Sequence, residues 1–250
     1  MTQSPKLAGA VAPLVAAFLA TTPAQAVDLG AGFSVNGGAT LVSDYRFRGI
    51  SQTNKGFAIQ GTMTLSHASG FYASVWGSSI DDYIAATSDA ELDLIFGYKK
   101  TFKATTVDGG ILYYHYPGNC CGIPTDFAEP YLKVTQAFGP ASLTGTIAYA
   151  PKQKALSIGS GKEDNLYLAG DLSYAIPKTP FSLAAHFGHS FGPSYLTIGK
   201  EYSDWSLGAT ATHKNLFASV QYVDTNKTLL GPSGKNIAGS GVVGSVGVSF

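Results

Sequence analysis

Residues Phe33 to Arg48, FSVNGGATLVSDYRFR, separate into two rows when every second position is taken. Phe33, Val35, Gly37, Ala39, Leu41, Ser43, Tyr45 and Phe47 make an apolar row with aromatics at both ends. Ser34, Asn36, Gly38, Thr40, Val42, Asp44, Arg46 and Arg48 make a row that is polar and ends in charge. Successive side chains of a strand point to opposite faces, so the stretch predicts one long strand with a greasy face and a hydrophilic face. Soluble strands average about 5–6 residues, whereas a tilted membrane-crossing strand needs about 9–11. The whole stretch is therefore expected to be a transmembrane barrel strand, with Tyr45 and Phe47 on the lipid side of its far end.

The rest of the chain is compatible with that constraint. Its 250 residues suit one barrel domain, and charge is low and balanced (13 % of residues, net +0, pI near 6.9). A nucleic-acid partner, which would want a basic face, is not expected. Thirty glycines and 12 % aromatics, mostly Tyr and Phe, fit a turn-rich all-β chain. Residues 1–26 have the features of a cleaved export signal: Lys6, an apolar run Leu7 to Ala20, and the small-x-small site Ala24-Gln25-Ala26. The domain is then 27–250. No later run is apolar over the roughly 18 residues a membrane helix requires. An exported, alternating, helix-poor chain leaves a secreted β-sandwich or an outer-membrane barrel.

Loop lengths decide between the two. Expected strands follow at Phe57–His67, Phe71–Ile80, Glu91–Lys99, Thr105–Tyr116, Glu129–Phe138, Ala141–Ala150, Glu163–Ala175, Phe181–Ser190, Asp204–Thr212, Leu216–Asp224 and the C-terminal segment. That makes about twelve, with ends uncertain by 2–4 residues. Connections alternate long and short: 49–56, 81–89, 117–127, 151–162, 191–203 and 225–239 are long, while 68–70, 100–104, 139–140, 176–180 and 213–215 are short. Outer-membrane barrels have an even strand number, long loops outside and short turns in the periplasm. A sandwich has no reason to maintain that asymmetry.

Outward aromatics supply a second test. Phe33, Phe71, Tyr98, Phe138, Tyr174, Phe181 and Phe250 fall at the short-turn end. Tyr45, Phe47, Phe57, Tyr113, Tyr149, Phe187, Trp205 and Tyr222 fall at the long-loop end. Two such girdles are expected where a barrel meets the two membrane interfaces. The partners implied are outer-membrane lipid and lipopolysaccharide, together with the barrel-assembly machinery through the terminal Phe250.

The inward polar residues are the candidate site. Asp44, Arg46, Arg48, Glu91, Asp93, Glu129 and Asp204 gather at the outer mouth, while Asp108, Lys133 and Asp171 lie deeper. Fixed charges around a constriction select solutes; the same charges also brace a wall by pairing. Twelve strands give a backbone radius of roughly 12 Å, which suits small solutes. Cys120-Cys121 leaves open a vicinal disulfide, free thiols or an intermolecular link. No cofactor or metal is expected, since His115 near the cysteines is a single further ligand on the lipid side. The His67-Ala68-Ser69 spacing suits a barrel hydrolase but falls at a periplasmic turn. His186 faces inward and is expected to be a lumen residue rather than a base.

Val42-Ser43-Asp44-Tyr45-Arg46-Phe47-Arg48-Gly49-Ile50-Ser51-Gln52 resembles the signature of the TorF family of porin-like proteins. Phe71 to Ser78, Tyr116-Pro117-Gly118 and Asp204-Trp205 resemble its later blocks, and the likeness spans most of the chain. The resemblance implies an outer-membrane porin-like barrel and says little about cargo. The expected function is passive diffusion of small hydrophilic solutes. A barrel hydrolase and a plugged structural or surface-binding barrel are the alternatives.

Overall fold

The computed structural model describes residues 26–159 and 161–250. The segment read as an export signal therefore lies outside the described residues, apart from Ala26. A short strand β1 (Val27–Gly30) leads into β2 (Phe33–Val42). Two small strands, β3 (Arg46–Phe47) and β4 (Ile50–Ser51), sit within the first long connection. The wall then continues through β5 (Ala58–His67), β6 (Phe71–Ser79), β7 (Ala90–Phe102), β8 (Thr105–His115), β9 (Phe127–Phe138) and β10 (Ala141–Ile158). It is completed by β11 (Gly161–Ala175), β12 (Phe181–Phe191), β13 (Tyr202–His213), β14 (Leu216–Thr225) and β15 (Gly241–Ser249).

β2 and β5 to β15 pair antiparallel with their sequence neighbours, and β15 pairs back onto β2. Twelve strands thus close into a barrel, and every wall strand has a partner on both sides. Closure is what allows a sheet to stand in hydrocarbon, because no row of backbone N–H and C=O groups is left open to lipid. The pleat divides the side chains as the sequence predicts. On β7, Leu94, Phe96 and Tyr98 are exposed while Glu91, Asp93 and Ile95 are buried. On β5, Ile59, Met63 and Leu65 face out and Thr64 faces in. An exposed apolar surface that encircles the molecule is a lipid-facing wall, since a water-soluble fold would not leave so large a patch uncovered.

The two girdles are largely in place. All seven aromatics assigned to the turn end are exposed, as are Phe57, Tyr113, Tyr149, Phe187 and Tyr222 at the loop end. Tyr45 and Phe47 are the corrections. The strand expected to run from Phe33 to Arg48 stops at Val42, and the chain turns into the barrel. Tyr45 is 1 % exposed, and Phe47 packs edge-on against Tyr114 with ring centroids 5.9 Å apart. The physical reason is charge. Asp44, Arg46 and Arg48 would leave three ionised groups in a row on one wall strand; folded inward, they find counter-charges.

A second correction concerns residues 151–162, expected as a loop. β10 and β11 instead continue their ladder past the rim to Ile158 and Gly161, through two irregularities of register. Gln153 replaces the missing pairing to β9: its amide donates to Ala128 O and accepts from Ala128 N, both at 2.8 Å. The hairpin buries Ala155 and Leu156 over the mouth. The long connection 191–203 contains a 3-10 turn at Tyr195–Thr197.

The seam between β15 and β2 is short, with five residue pairs from Ser245↔Val42 to Ser249↔Gly38. Reciprocal backbone bonds between Phe250 and Gly37 extend it (2.9 and 3.0 Å). Beyond Phe250, β1 takes over the same edge of β2, pairing Val27 with Val35.

Candidate functional site

The first long loop is a plug. β3 and β4 form a two-residue hairpin in which Phe47 pairs with Ile50 across Arg48-Gly49. Both turn residues have positive φ, 47° for Arg48 and 80° for Gly49, the pattern of a type I′ hairpin turn. Glycine is required at 49 twice over. Its φ favours a residue without Cβ, and a Cβ there would run into the Thr225 side chain and come within 3.0 Å of Asp204 Cβ.

Arg48 reaches across the lumen from this turn. Its Nη2 donates to both oxygens of Glu129 on β9 (2.6 and 2.8 Å), and Nη1 donates to Asn165 Oδ1 on β11 (2.8 Å). The guanidinium lies 4.1 Å from the centre of the Tyr167 ring. Neither side chain of the Arg48–Glu129 pair is exposed at all. Burial alone would weaken the charge on Arg48, but the Glu129 carboxylate, with Tyr114 and Tyr167 beside it, more than offsets this and holds the guanidinium more firmly protonated than usual.

Arg46 fixes the base of the plug. Its Nε donates to Asp44 Oδ2 at 2.6 Å, and Nη1 donates to the carbonyls of Gly49, Ile237 and Gly239. Asp44 accepts a further bond from Ser51 Oγ, and Ser51 N donates to Ile237 O. The last long loop, 226–240, thereby covers the plug. The second does so as well: Tyr83 OH donates to Ser51 O at 2.7 Å, and burial pushes that phenol up to about 12. Tyr45 donates to Glu91 Oε2 at 3.2 Å and sits edge-on to Trp76. Its hydroxyl is held well above the ordinary phenol range, first by burial and then by the nearby Glu91 and Asp93 carboxyls.

The sequence-predicted residues thus form two groups. Asp44, Arg46, Arg48, Glu91, Asp93, Glu129 and Asp204 are all buried at the loop end, around the plug. Arg46 is paired with Asp44 and Arg48 with Glu129, while Asp93 lies beside Glu91 on the same face of β7. Deeper, Asp108 stands cross-strand from Lys133 and from Lys99, and Tyr72 OH donates to Asp108 at 2.7 Å. Asp171, whose side chain is 43 % exposed, meets His186 Nδ1 at 2.6 Å. His186 Nε2 meets Asp204 Oδ1 and the Tyr167 hydroxyl, each at 3.0 Å. Both edges of this ring are engaged by acidic or phenolic groups. Ser206, across the ladder from His186, has no hydrogen-bond partner among the described residues, so they assemble no Ser–His relay there. His67 and Ser69 do bond to one another (2.7 Å), but on an exposed turn where the ring packs against Phe33.

Tyr45, Ser51, Trp76, Asn165 and Tyr167 belong to the site and were not in the sequence-derived set. The signal for the first two was Arg48-Gly49, a turn dipeptide flanked by Arg46-Phe47 and Ile50-Ser51 where the expected strand meets the connection 49–56. Inward tyrosines reach over glycines of an adjacent strand: Tyr72 over Gly97, Tyr131 over Gly110 and Tyr167 over Gly188. Glycine directly or diagonally across a ladder from an inward aromatic was the available clue.

Beneath the plug is a cavity of about 110 Å³. Asp44, Arg46, Arg48 and Gly49 roof it, and the inward faces of β12–β15, β2 and β5 wall it. In the third long loop, Cys120 and Cys121 are joined as a vicinal disulfide, and Cys120 N donates to Ala86 O of the second loop.

These features define a transmembrane β-barrel of the outer-membrane type, filled at one end by its own first loop. The chain belongs to the Gcw_chp family of bacterial proteins of unknown function, whose model matches residues 26–239. No curated protein matches it in sequence. Among solved structures it is similar to OpdK of Pseudomonas aeruginosa, at 8 % identity and a TM-score of 0.47, covering 90 % of this chain and 68 % of that one. It is similar also to OccD3 of the same organism (10 %, TM-score 0.46, 90 % and 66 %). A third is an anion-selective porin from Comamonas acidovorans (11 %, TM-score 0.41, 87 % and 98 %). The chain thus spans about two thirds of the length of the first two.

Proposed function

We propose that the protein is an outer-membrane channel of porin type, exported by residues 1–26, that passes small hydrophilic solutes by diffusion when its plug is displaced. The observation that carries this reading is a closed, lipid-belted barrel whose interior sets buried hydroxyls, amides and charges among its aromatic and aliphatic side chains. An interior built only for stability has no need of a cavity beneath a polar plug. The conformation described here is the shut one, because buried charge pairs fill the loop end from wall to wall. The path we assign runs past Asp44, Arg46, Arg48, Glu91, Asp93, Glu129 and Asp204 at the mouth, then Asp108, Lys133 and Asp171. The likeness of Val42–Gln52 to the TorF signature supports the same assignment, and that block is largely the plug.

The test is planar-bilayer conductance of refolded protein, alone and with Arg48→Ala. Stepwise conductance, more frequent in the variant, is expected. A folded barrel that carries no current in either form would overturn the channel reading. It would leave the second one, a permanently plugged surface barrel, which the burial of the plug favours.

A further inference from the structure

We infer that the cavity beneath the plug is a binding site for an uncharged polyhydroxylated molecule of about monosaccharide size. The inference deepens the channel reading by naming its cargo, yet it stands on the walls of the cavity. Five adjacent strands present Thr40, Gln60, Thr62, Ser206, Ser219, Gln221 and Ser245 to it. These are neutral groups that both donate and accept hydrogen bonds, the complement of a ligand rich in hydroxyls.

Charge at the rim is already spent. Arg46 pairs with Asp44, Arg48 with Glu129, and His186 lies between Asp171 and Asp204. An anionic ligand would find no unmatched cation among the lining residues, and a cationic one would find the surplus carboxylate only at Asp171, which is 43 % exposed and outside the lining; either would have to give up its hydration. Three polar atoms of its lining residues lack partners among the described residues. Ser206 Oγ, Arg46 Nη2 and Arg48 Nε are buried with no hydrogen bond, on residues 6 %, 8 % and 4 % exposed. Buried polar groups are nearly always satisfied, so a ligand hydroxyl that meets them would relieve a real cost. Trp76 lines the same space, held edge-on by Tyr45 at a 5.4 Å centroid separation, and Phe217 closes the turn end. Aromatic faces beside amides and hydroxyls suit a ring with apolar C–H faces and a polar edge. One water needs about 10–15 Å³ of such space, so 110 Å³ holds on the order of ten non-hydrogen ligand atoms.

The test is a titration of refolded protein in detergent micelles, carried out in a Trp205→Phe background so that Trp76 is the single tryptophan reporter. D-glucose is the probe, with gluconate and glucosamine as charged comparators, and heat-modifiable gel mobility verifies the fold. Glucose is expected to perturb Trp76 emission saturably and to bind at least about ten-fold tighter than either charged analogue, a difference of about 1.4 kcal/mol. The effect is expected to be lost in a folded Ser206→Ala/Gln221→Ala variant. Absence of saturable glucose binding to the folded barrel, or equal binding of gluconate, would overturn the inference. A barrel that conducts in bilayers but binds no glucose overturns this inference and leaves the channel reading intact. One that binds glucose but never conducts supports the site and removes the channel.

Discussion

Arg48 sets the cost of unseating the plug. Its pair with Glu129 has no solvent exposure, and removing one partner of such a pair leaves a buried charge behind, at about 3–5 kcal/mol. Arg48→Ala should therefore destabilise strongly toward urea. The double variant Arg48→Leu/Glu129→Leu should recover most of that loss, since replacing both charges with apolar side chains is close to neutral. A double variant as unstable as the single one would mean that the contacts of Arg48 to Asn165 and Tyr167 hold the plug. Gly49→Ala tests the turn by itself. The positive φ costs about 1–2 kcal/mol for a residue with a Cβ, and the methyl meets Thr225 and Asp204. Faster proteolysis within 43–57 is expected, with wall mobility on gels unchanged.

Asp126, in the third loop, gives a pH signature. Burial alone would push its carboxyl up, but the His115 ring, the Tyr116 N–H and the Tyr113 hydroxyl together hold it below the ordinary aspartate range. A carboxyl depressed in the folded state stabilises above its unfolded value of about 3.9 and loses that contribution as pH falls below it. The third loop should resist an acid-active protease at pH 6 and become cleavable near pH 3. The Asp126→Asn variant should be cleaved equally at both.

The plug hairpin is the element that sequence hid. Strands and hairpin share the period of two, so alternation ran without a break from Phe33 through Arg48, across the point where the chain leaves the wall. Only Gly49, with its positive φ, and the density of charge at Asp44, Arg46 and Arg48 marked the change. Elsewhere alternation was enough, because lipid on one side and a polar interior on the other enforce it, as on β5 and β7. Inward charges could be picked out for the same reason. Their pairing could not, since Arg48 meets Glu129 and Asn165 across the lumen, contacts that no local pattern encodes. The tall β10–β11 hairpin was missed because beyond the membrane nothing enforces alternation. As an element, the plug should act as a unit. Ser233 Oγ lies 2.7 Å from Asn54 Oδ1, between the last loop and the plug. Cysteines at both positions, in a Cys120→Ser/Cys121→Ser background, should lower conductance when bridged by a short bis-maleimide. Unchanged conductance would show that current passes with the plug in place.

For the whole molecule, the apolar exterior inverts the usual order of a globular protein, and closure of the ladder holds the wall together beside the aromatic cluster packed inside it. Closure is uneven. The seam of β15 on β2 has five pairs, against eleven between β7 and β8 and ten between β13 and β14. It also joins residues some two hundred positions apart in the chain, such as Val42 and Ser245, a contact late to form because its loop-closure entropy is large.

The seam is therefore the line along which this cylinder would tear. It walls the sub-plug cavity on one side, through Gly38, Thr40, Val42, Val243 and Ser245, so a ligand there presses on the weakest joint. Phe250 and β1, laid end to end along the rest of the β2 edge, act as a clasp across that joint. Removing residues 27–30 should leave a closed barrel whose β2 and β15 amides exchange with deuterium sooner than those of β7 and β8. Uniform exchange around the wall would mean that the clasp bears no tension.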